Sequence, residues 1–500
     1  MGGRPAPEPA CLGARVAMAR LAPARRAALR LGAECRQRDA RAREVLRTSD
    51  VMDGLEARDR ALATRLVLGV QRARGLCDAV VNAHLTHSHL EPRVRDALRL
   101  SSFELLYLGT PTQVAVSQGV ELAAVASRRA RGLANAVLRR VAAGNVPAME
   151  AARGRVRAAR DAGSVPEVAD VALVGALPEW LARELVASLG AGACALALDA
   201  MEPPAPTVAA NLNLNTEGQA FARLADAGLQ PSRLPWPGCI ALGAQAGLAA
   251  SGLVEETCVL PADPAAQMVS WLAAPAADVG AMLEVGQGRA TKTLLIAGAN
   301  RRLGGKVLLA CVDSVAFKSR LARERVRTGG LDGRATCVTL DATRLDAQDV
   351  PRELRGTFGQ VFVDAPCSGT GTMRRHPEVA WSLGHESVCG SSATLPTLQL
   401  RMLSAASARV APGGTLAYST CSDLRAEDED VVRAFLASEA GRAFAPLPAA
   451  EAPCTSVLDA ESLRILHAMT GRDGFLRTEG GRALGLDCDG HFLALMRRVG

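Results

Sequence analysis

The sequence predicts a multidomain protein with an all-α N-terminal domain, a small α+β region and a C-terminal α/β domain. Three observations support this prediction. Five hundred residues exceed one ordinary domain. Apolar residues recur at helical spacing in the first third of the chain, and after about residue 278 apolar runs of strand length alternate with helical stretches. We place the domains at residues 11–145, 173–270 and 271–500, with a linker at 146–172.

The composition is typical of a globular protein, with 49% apolar and 22% charged residues. No run of about 18 uncharged apolar residues is found, so no membrane span is predicted. The N-terminal stretch lacks a signal-peptide core, and we expect a cytoplasmic protein. The 13 cysteines are scattered without a CxxC pair or zinc spacing. Most of them are therefore expected to be small core residues, and no metal site is predicted.

The first third of the chain combines a helical pattern with most of the positive charge. Segments such as RDRALATRLVLGVQRARGLCDAVVNAHL predict six or seven helices between about Ala14 and Ala143. Residues 1–150 contain 24 Arg against 14 Asp and Glu, a net charge of +10. The remaining residues carry 34 basic against 37 acidic side chains, a net charge of −3. This split favours a polyanion-binding module, with compositional bias as the alternative.

Two weaker segments separate the helical region from the α/β domain. The stretch that begins GNVPAMEAARG has few large apolar residues and is interpreted as a linker, in part helical. After it, LPEWLARELVASLG predicts a short amphipathic helix and PAPTVAANLNLNT a strand. TEGQAFARLADAGL predicts a second helix, whose Thr-x-x-Gln start resembles a capping box.

Five apolar runs of strand length define the C-terminal domain: AMLEVG, KVLLACVD, ATCVTLDAT, GQVFVDAPC and GGTLAYSTC. The helical stretches between them indicate a parallel sheet covered on both faces. Ligands of such sheets bind outside the carboxyl ends of the strands. Side chains suited to chemistry collect at those ends, namely Glu284, Asp313, Asp341, Asp364, Cys367 and Cys421.

The first three strand ends indicate a site for an adenosyl cofactor. Gly286 and Gly288 in LEVGQGRATKT allow a tight turn and the close approach of a ligand. Asp313 ends the second strand, where a carboxylate can accept hydrogen bonds from a ribose diol. Asp341 follows the third strand, where a carboxylate can accept a hydrogen bond from an adenine amino group. No GxxxxGK[ST] loop is present, which disfavours ATP. S-adenosylmethionine fits an acid-rich site without phosphate contacts, and capping or solvated acids are the alternative.

The two cysteines at strand ends suggest covalent chemistry on cytosine. A thiolate that adds to C6 of the base makes C5 nucleophilic enough to attack a methyl sulfonium. A carboxyl group near N3 stabilises the developing charge, and a base must then remove the C5 proton. Cys367, Cys421 and Asp364 supply such groups. The alternative is that both cysteines are buried core residues, as lone buried cysteines usually are.

Two segments closely resemble signature motifs of the bacterial ribosomal-RNA cytosine-5 methyltransferases called RsmB or Sun: DAPCSGTGTMRRHPEVAW and GGTLAYSTCSDLRAEDEDVV. DRALATRLVLGVQRARG and RGLANAVLRR look like the NusB-like N-terminal domain of that family. LPEWLARELV resembles its connecting domain, and DCDGHFLALMRR its closing strand. The resemblance implies a NusB-like RNA-binding domain and a Rossmann-like methyltransferase domain that uses S-adenosylmethionine. It also implies that the protein acts on ribosomal RNA, with the small subunit as the expected source, and we expect a monomer.

The resemblance also implies roles for individual residues. Cys421 would be the nucleophile, Cys367 would serve product release, and Asp364 would hold the edge of the base. Apart from the resemblance, the positive charge of Arg374 and Arg375 beside the thiols in sequence predicts an RNA contact, and His376 is expected either to touch the RNA or to shape the loop. The residues that would line the cofactor are Glu284, Gly286, Gly288, Lys292, Asp313, Asp341 and Asp364.

The chain departs from the family pattern in three places. The cofactor loop keeps Lys292 and Thr293 but lacks the usual Pro-Gly-Gly, ANLNLN replaces Arg-Val-Asn, and Asp428 stands where Asn is usual. Two other functions stay open, a tRNA cytosine-5 methyltransferase and a non-catalytic RNA-binding or ribosome-assembly factor. The intact thiols argue against the second. Aromatic residues make up only 3% of the chain, so phosphate contacts are expected to dominate RNA binding.

Overall fold

The computed structural model describes residues 21–499, apart from 41, 87–88, 203, 244–246 and 391 and the side chains of 482–483. It contains two compact units, one that ends at Glu150 and one that begins at Ala151. The predicted domain start at residue 11 and the predicted first helical residue, Ala14, lie outside the described residues.

The first unit is helical, as the apolar spacing predicts. The helices α1 (Pro23–Gln37) and α4 (Pro92–Tyr107) each begin with a proline, which loses no hydrogen bond in the first turn of a helix. α3 and α4 pack closely, because a side chain at Gly69 would overlap the Phe103 ring. The α-helices are α1 (Pro23–Gln37), α2 (Ala42–Thr48), α3 (Ala57–Asn82), α4 (Pro92–Tyr107), α5 (Thr112–Ala126) and α6 (Arg131–Arg140).

Ion pairs inside this unit join its helices. Arg25 of α1 donates to the buried Glu104 of α4, with Nε 2.9 Å from Oε2. Arg99 of α4 donates from Nε and Nη2 to the two oxygens of Asp78 in α3, at 2.7 Å each. These arginines are balanced by acids within the bundle. The net excess of +10 in residues 1–150 therefore lies with other arginines of that segment.

A helix occupies much of the stretch interpreted as a linker. A π-helical turn over Val141–Asn145 follows α6, and α7 (Val146–Asp161) and α8 (Val168–Gly175) come next. The stretch is rich in Ala and Arg, which have high helix propensity even without a large apolar face. Arg155 of α7 donates twice to Asp170 of α8, at 2.7 and 2.6 Å. The domain boundaries themselves stay predictions.

A small α+β region follows α8. Thr216 and Gln219 form the predicted capping box at the start of its second main helix. Its four strands are β1 (Thr207–Ala210), β2 (Pro231–Arg233), β3 (Cys239–Leu242) and β4 (Val259–Pro261), and they form an antiparallel sheet in the order β2–β3–β1–β4. The apolar core of this region includes Val208, Leu224 and Ile240. The elements are α9 (Glu179–Leu189), α10 (Ala193–Leu198), β1 (Thr207–Ala210), α11 (Glu217–Asp226), β2 (Pro231–Arg233), β3 (Cys239–Leu242) and β4 (Val259–Pro261).

One helical segment, Glu179–Leu198, is long and apolar enough to cross a membrane by length and composition alone, with a mean hydropathy of 1.5. Arg183 and Glu184 interrupt this segment, so it contains no run of 18 uncharged apolar residues. In the structure it is divided into α9 and α10 at Gly190, which has a φ of 56°. Of its apolar window, 44% is buried inside the structure.

A mixed sheet organises the α/β region. The predicted strands β5 (Ala281–Val285), β6 (Leu308–Asp313), β7 (Ala335–Thr339), β8 (Phe358–Asp364) and β9 (Val410–Thr420) are parallel. The same sheet contains three antiparallel strands, β10 (Phe444–Leu447), β11 (Leu476–Thr478) and β14 (His491–Arg498). The strands β12 (Gly481–Ala483) and β13 (Leu486–Cys488) form a separate antiparallel pair. The main order is β10–β14–β9–β8–β5–β6–β7. The parallel prediction is therefore correct for five strands and incomplete for the sheet.

Helices cover both faces of this sheet, and side chains alternate between two apolar cores. On one face, Met282 and Phe362 pack in a core with Leu294 of α13 (Thr291–Arg302). On the other face, Val361 packs in a core with Leu403 of α17 (Thr394–Ser407). The carboxyl ends of the parallel strands stay open for ligands. The covering helices are α12 (Pro264–Leu272), α13 (Thr291–Arg302), α14 (Ala316–Val326), α15 (Val379–Ser382), α16 (His385–Val388), α17 (Thr394–Ser407), α18 (Glu429–Ala437) and α19 (Ala460–Met469).

Candidate active site

Cys367 and Cys421 meet just beyond the carboxyl ends of β8 and β9. Their Sγ atoms are 3.3 Å apart, and both residues are partly exposed, whereas most cysteines in the described part of the chain are buried. The two strands are parallel neighbours with Asp364 opposite Ser419. Cys367 follows the end of β8 by three residues and Cys421 directly follows the end of β9, so the structure brings the two predicted thiols together.

Lys292 connects the first strand end to these thiols. It lies in the first turn of α13, and its Nζ donates to Asp364 Oδ1 at 2.6 Å. Burial alone would lower the pKa of Lys292, but the charges of Asp364, Cys421 and Cys367 hold it above its ordinary value. The ammonium therefore stays charged beside the thiols. The pKa of Cys367 is raised well above its ordinary value, first by its hydrogen bond with Cys421 and then by burial.

The glycine turn after β5 is fitted against the ends of β6 and β8. Gly286 has a φ of 86°, and a side chain there would overlap the carbonyl oxygen of Asp364. The Gly286 N–H donates to the Val312 carbonyl at 2.8 Å. Gly288, with a φ of 54°, donates its N–H to Asp313 Oδ2 at 3.1 Å. The turn leads directly into α13, so backbone and helix terminus face the open edge of the sheet.

The two acids predicted to bind the nucleoside occupy different environments. Asp313 is buried at the end of β6, and its Oδ1 accepts the Val315 N–H at 2.8 Å. Each carboxylate oxygen has a second acceptor position, so Asp313 retains capacity for a ribose hydroxyl. Asp341 is exposed, and its Oδ1 accepts the N–H and the hydroxyl of Thr343 at 3.0 and 2.9 Å. These bonds lower its pKa and make it the cap of a short 3₁₀ helix.

Glu284 lies fully buried in β5, beneath the glycine turn. Its Oε2 accepts a weak hydrogen bond from the Cys311 thiol at 3.6 Å, and burial raises its pKa to about 7. Its Oε1 has no hydrogen bond of ordinary geometry among the described residues. An orphaned buried acceptor beneath a glycine cradle is unusual without a ligand. Together with Asp313, it fits an adenosyl cofactor with hydroxyl and amino donors.

The two arginines of the thiol loop, residues 365–376, point into the protein. Arg374 is 6% exposed and pairs with Asp487. Arg375 donates to Asp263 Oδ2 at 2.6 Å and to Asp489 Oδ2 at 2.9 Å. A phosphate contact would have to compete with these pairs. Both arginines therefore have acidic partners inside the protein, and an RNA contact by either one stays a prediction.

His376 differs from its two arginine neighbours. Its side chain is 48% exposed, and its Nδ1 lies 3.8 Å from Glu378 Oε1. An RNA contact by His376 stays a prediction. Trp381, further along the same segment, donates its indole N–H to the Ala176 carbonyl at 3.0 Å and so fixes the chain after the thiol loop.

The sequence did not reveal Glu427, a buried carboxylate that ties the two cysteine loops together. Its Oε1 accepts the Ser368 N–H at 2.8 Å and the Gln399 side-chain N–H at 3.0 Å. Its Oε2 accepts the hydroxyls of Ser368 and Ser422 at 2.5 and 2.7 Å. The repeated Cys-Ser pair was a usable signal. Glu427 itself was hidden in the run AEDED, which resembles a solvated helix start.

His491 was also missed. The register of β14 and β9 places it opposite Cys421, at the same edge of the sheet. It is 4% exposed, and its Nδ1 has no hydrogen-bond partner among the described residues. Burial, together with the charges of Lys292 and Arg375, holds its pKa well below the ordinary value. A neutral imidazole therefore stands at the edge of the site.

Comparisons with known proteins agree with this architecture. The family model described as 16S rRNA methyltransferase RsmB/F matches residues 272–479, and the NusB family model matches residues 18–143. The chain is 34% identical over 417 residues to the putative methyltransferase Rv1407 of Mycobacterium tuberculosis, covering 81% of this chain and 85% of that protein. It is 30% identical over 385 residues to ribosomal RNA small subunit methyltransferase B of Thermus thermophilus, covering 76% and 79%.

Solved structures share the fold. The crystal structure of PH0851 aligns with a TM-score of 0.67 over 96% of this chain and 100% of that chain, at 18% identity. A methyltransferase homologue from Pyrococcus horikoshii aligns with a TM-score of 0.50 over 67% of this chain and 99% of that chain, also at 18% identity. At this identity the likeness concerns the fold alone.

Proposed function

Because this chain belongs to the RsmB/F family of 16S rRNA methyltransferases, which use S-adenosylmethionine, we propose that it methylates C5 of a cytosine in small-subunit ribosomal RNA. The observation that carries the proposal is the pair of thiols, 3.3 Å apart, at the edge where the cofactor binds. Methylation of a nucleophilic oxygen or exocyclic nitrogen needs no thiol. C5 of cytosine becomes nucleophilic only after another nucleophile has added to C6.

The cofactor supplies an electrophilic methyl group. Gly286 and Gly288 let the chain approach it closely, while Asp313 offers acceptors for the ribose and Asp341 for the adenine. Glu284, deeper in the sheet, keeps one carboxyl oxygen without a hydrogen bond of ordinary geometry among the described residues. The residues that would hold the cofactor are Glu284, Gly286, Gly288, Lys292, Asp313, Asp341 and Asp364.

The side chains at the strand ends divide the covalent steps among them. The Cys421 thiolate attacks C6, and the new S–C6 bond pushes electron density to C5 and N3. Asp364, which accepts a hydrogen bond from Lys292, would hold the base edge, where the charge develops. After methylation a base takes the C5 proton, the electrons of the C5–H bond re-form the C5–C6 double bond, and the S–C6 bond breaks to return the thiolate of Cys421. Cys367 lies beside Cys421 and serves this release.

The substrate proposal combines the NusB-family first unit with the charge distribution. The basic first unit would attract the phosphate backbone, and the target base would be extruded from the RNA to reach the thiols. A NusB-family unit favours ribosomal RNA over tRNA. We place the protein in the cytoplasm, as a monomer. Bisulfite sequencing of 16S ribosomal RNA and tRNA from a deletion strain distinguishes the two substrates by the cytosine that loses protection.

Trapping experiments test the assignment of the two thiols. Cys367→Ala should still form the S–C6 adduct but release it slowly, so a covalent protein–RNA complex should accumulate. Cys421→Ala should form no adduct and transfer no methyl group, and the double variant should behave like Cys421→Ala. Denaturing electrophoresis with labelled RNA detects the complex.

Cys389→Ala is the matched control, because Cys389 is also partly exposed but lies outside the thiol pair. It should methylate RNA as the wild type does and trap nothing. If Cys421→Ala accumulates the covalent protein–RNA complex and Cys367→Ala does not, the roles of the two cysteines are reversed. Full methyl transfer by both single variants would show that the thiols are structural and the proposed reaction is wrong.

A further inference from the structure

The turn between β13 and β14 lies against the thiol loop. In this closing turn, residues 487–491, the Gly490 N–H donates to the Gly371 carbonyl at 2.9 Å. The Gly371 N–H in turn donates to the Cys421 carbonyl at 3.1 Å. A side chain at Gly371 would overlap the Gly490 carbonyl, so the backbones touch. The closing turn, the thiol loop and the end of β9 therefore form one hydrogen-bonded stack.

Arg375 fastens this stack to the start of α12. Asp263 caps α12, and its Oδ1 accepts the Ala265 N–H at 2.8 Å and the Asp489 N–H at 2.9 Å. The remaining oxygens, Oδ2 of Asp263 and Oδ2 of Asp489, accept from the Arg375 guanidinium. One side chain from the thiol loop thus joins the cap of a helix to the closing turn.

The chemistry of this cluster demands arginine. Asp263 and Asp489 are buried, 8% and 3% exposed, and a guanidinium can donate to two carboxylates at once in fixed directions. Without it, two carboxyl groups would share a dry site with no cation hydrogen-bonded to them, because the neighbouring Arg374 pairs with Asp487. A lysine would supply the charge but only a single compact donor group. The position of the thiol loop is thus tied to one residue, eight positions after Cys367.

We propose that Arg375 is a positioning residue for the thiol pair, which it holds at 3.3 Å by anchoring the thiol loop on Asp263 and Asp489. Arg374, paired with Asp487 of the same turn, is a second anchor. The inference rests on the proposed function, because the separation of the thiols matters when both act on one base. Neither arginine contacts the reacting atoms.

Thiol cross-linking tests the inference without relying on activity. The full chain and its Arg375→Gln and Arg375→Lys variants are treated with diamide, and the Cys367–Cys421 disulfide peptide is quantified over time by mass spectrometry. We expect Arg375→Gln to cross-link about 10- to 100-fold more slowly than wild type, because misplacement of about 1 Å costs that much. Arg375→Lys should lie between them. Arg464→Gln, which removes an exposed ion pair with Glu461 on α19, is the control and should match wild type.

Steady-state kinetics on RNA give the second readout. Arg375→Gln should lower kcat by a similar factor, with the affinity for S-adenosylhomocysteine unchanged. The inference would be overturned if folded Arg375→Gln cross-linked its two thiols at the wild-type rate. It would also be overturned if the only change in this variant were a lower melting temperature. If Arg375→Gln does not fold, Asp489→Asn keeps one arm of the bridge and must still slow cross-linking. A wild type that methylates no cytosine overturns the proposed function, while the cross-linking rates still decide the positioning role.

Discussion

At the scale of single residues, buried polar groups without partners collect around the thiols. Asp423 follows Cys421 by two positions, is fully buried, and has neither carboxyl oxygen hydrogen-bonded among the described residues. His491 and Glu284 each have an unpaired atom as well. Such atoms cost stability, and native proteins keep them mainly where function requires them. The site is therefore a place where the chain gives up stability.

Asp423 gives a prediction for pH dependence. Burial raises its pKa to about 7 in the folded protein, whereas an unfolded Asp has a pKa of about 3.9. Between these values the unfolded chain releases a proton that the folded protein keeps, so the free energy of unfolding falls as pH rises. Asp423→Asn removes this loss. Urea titration should show a gain of about 1–3 kcal/mol at pH 8 and almost none near pH 4.

The control for this prediction is Asp459→Asn at the start of α19. The pKa of Asp459 is lowered because its carboxylate accepts the Ser462 N–H. A lowered pKa has the opposite sign, so this variant should lose stability at neutral pH and approach wild type as the pH falls below 4. Equal gains for Asp423→Asn at pH 4 and pH 8 would contradict the assignment of the effect to its ionisation.

Asp313 gives a prediction for cofactor binding. Asp313→Ala removes a charged acceptor for the ribose and also frees the Gly288 N–H. The affinity for S-adenosylhomocysteine should fall by about 1–3 kcal/mol in calorimetry. Asp341→Ala is the comparison, since Asp341 is exposed and bonded to its own turn, and it should weaken binding less. Unchanged affinity in Asp313→Ala would remove this residue from the site.

At the scale of secondary-structure elements, the site depends on how turns follow strands. The five parallel strands and the residues at their ends could be predicted from apolar runs alone. Glu427, His491 and the partners of Arg375 could not, because their roles arise from contacts between segments far apart in sequence. Arg375 and Asp489 are 114 positions apart. In the sequence, a basic residue beside a reactive loop predicts an RNA contact, because the acidic residues that pair with it in the fold are far away along the chain.

The glycine turn gives a prediction at this scale. Gly286 has a φ of 86° and touches the Asp364 backbone, whereas a side chain at Gly288 would meet nothing closer than 3.9 Å. Gly286→Ala should therefore destabilise the protein by about 2 kcal/mol or more and abolish cofactor binding. Gly288→Ala should cost less in both measurements. Equal unfolding free energies for the two variants would show that the contact with Asp364 is not limiting.

At the scale of the whole molecule, charge and chemistry are divided between the two units. The first unit carries the basic excess and the NusB match, and the second contains the thiols and the RsmB/F match. The composition could reveal this division because the net charge of a segment is a sum over many residues. It could not show which arginines are paired inside the bundle, since Arg25 and Arg99 look like any others in the sequence.

A truncation tests this division. Removal of residues 1–143 should leave a protein that binds S-adenosylhomocysteine but holds RNA weakly. The full-length protein should show a steeper fall in RNA affinity with salt, because each phosphate contact releases counterions. Filter binding over a salt series measures both slopes. Identical slopes for the two proteins would show that the basic helices do not hold RNA.

The position of β14 has a consequence for how the protein is made. Translation delivers this strand after every other described element, yet it is inserted between β9 and β10. Until residues 487–498 have emerged from the ribosome, β9 has one open edge and Arg375 lacks Asp489. A nascent chain can therefore carry both thiols and still be inert. In genetic terms, a stop codon just before residue 487 should be as severe as the loss of Cys421, although it leaves every proposed catalytic residue in the gene product.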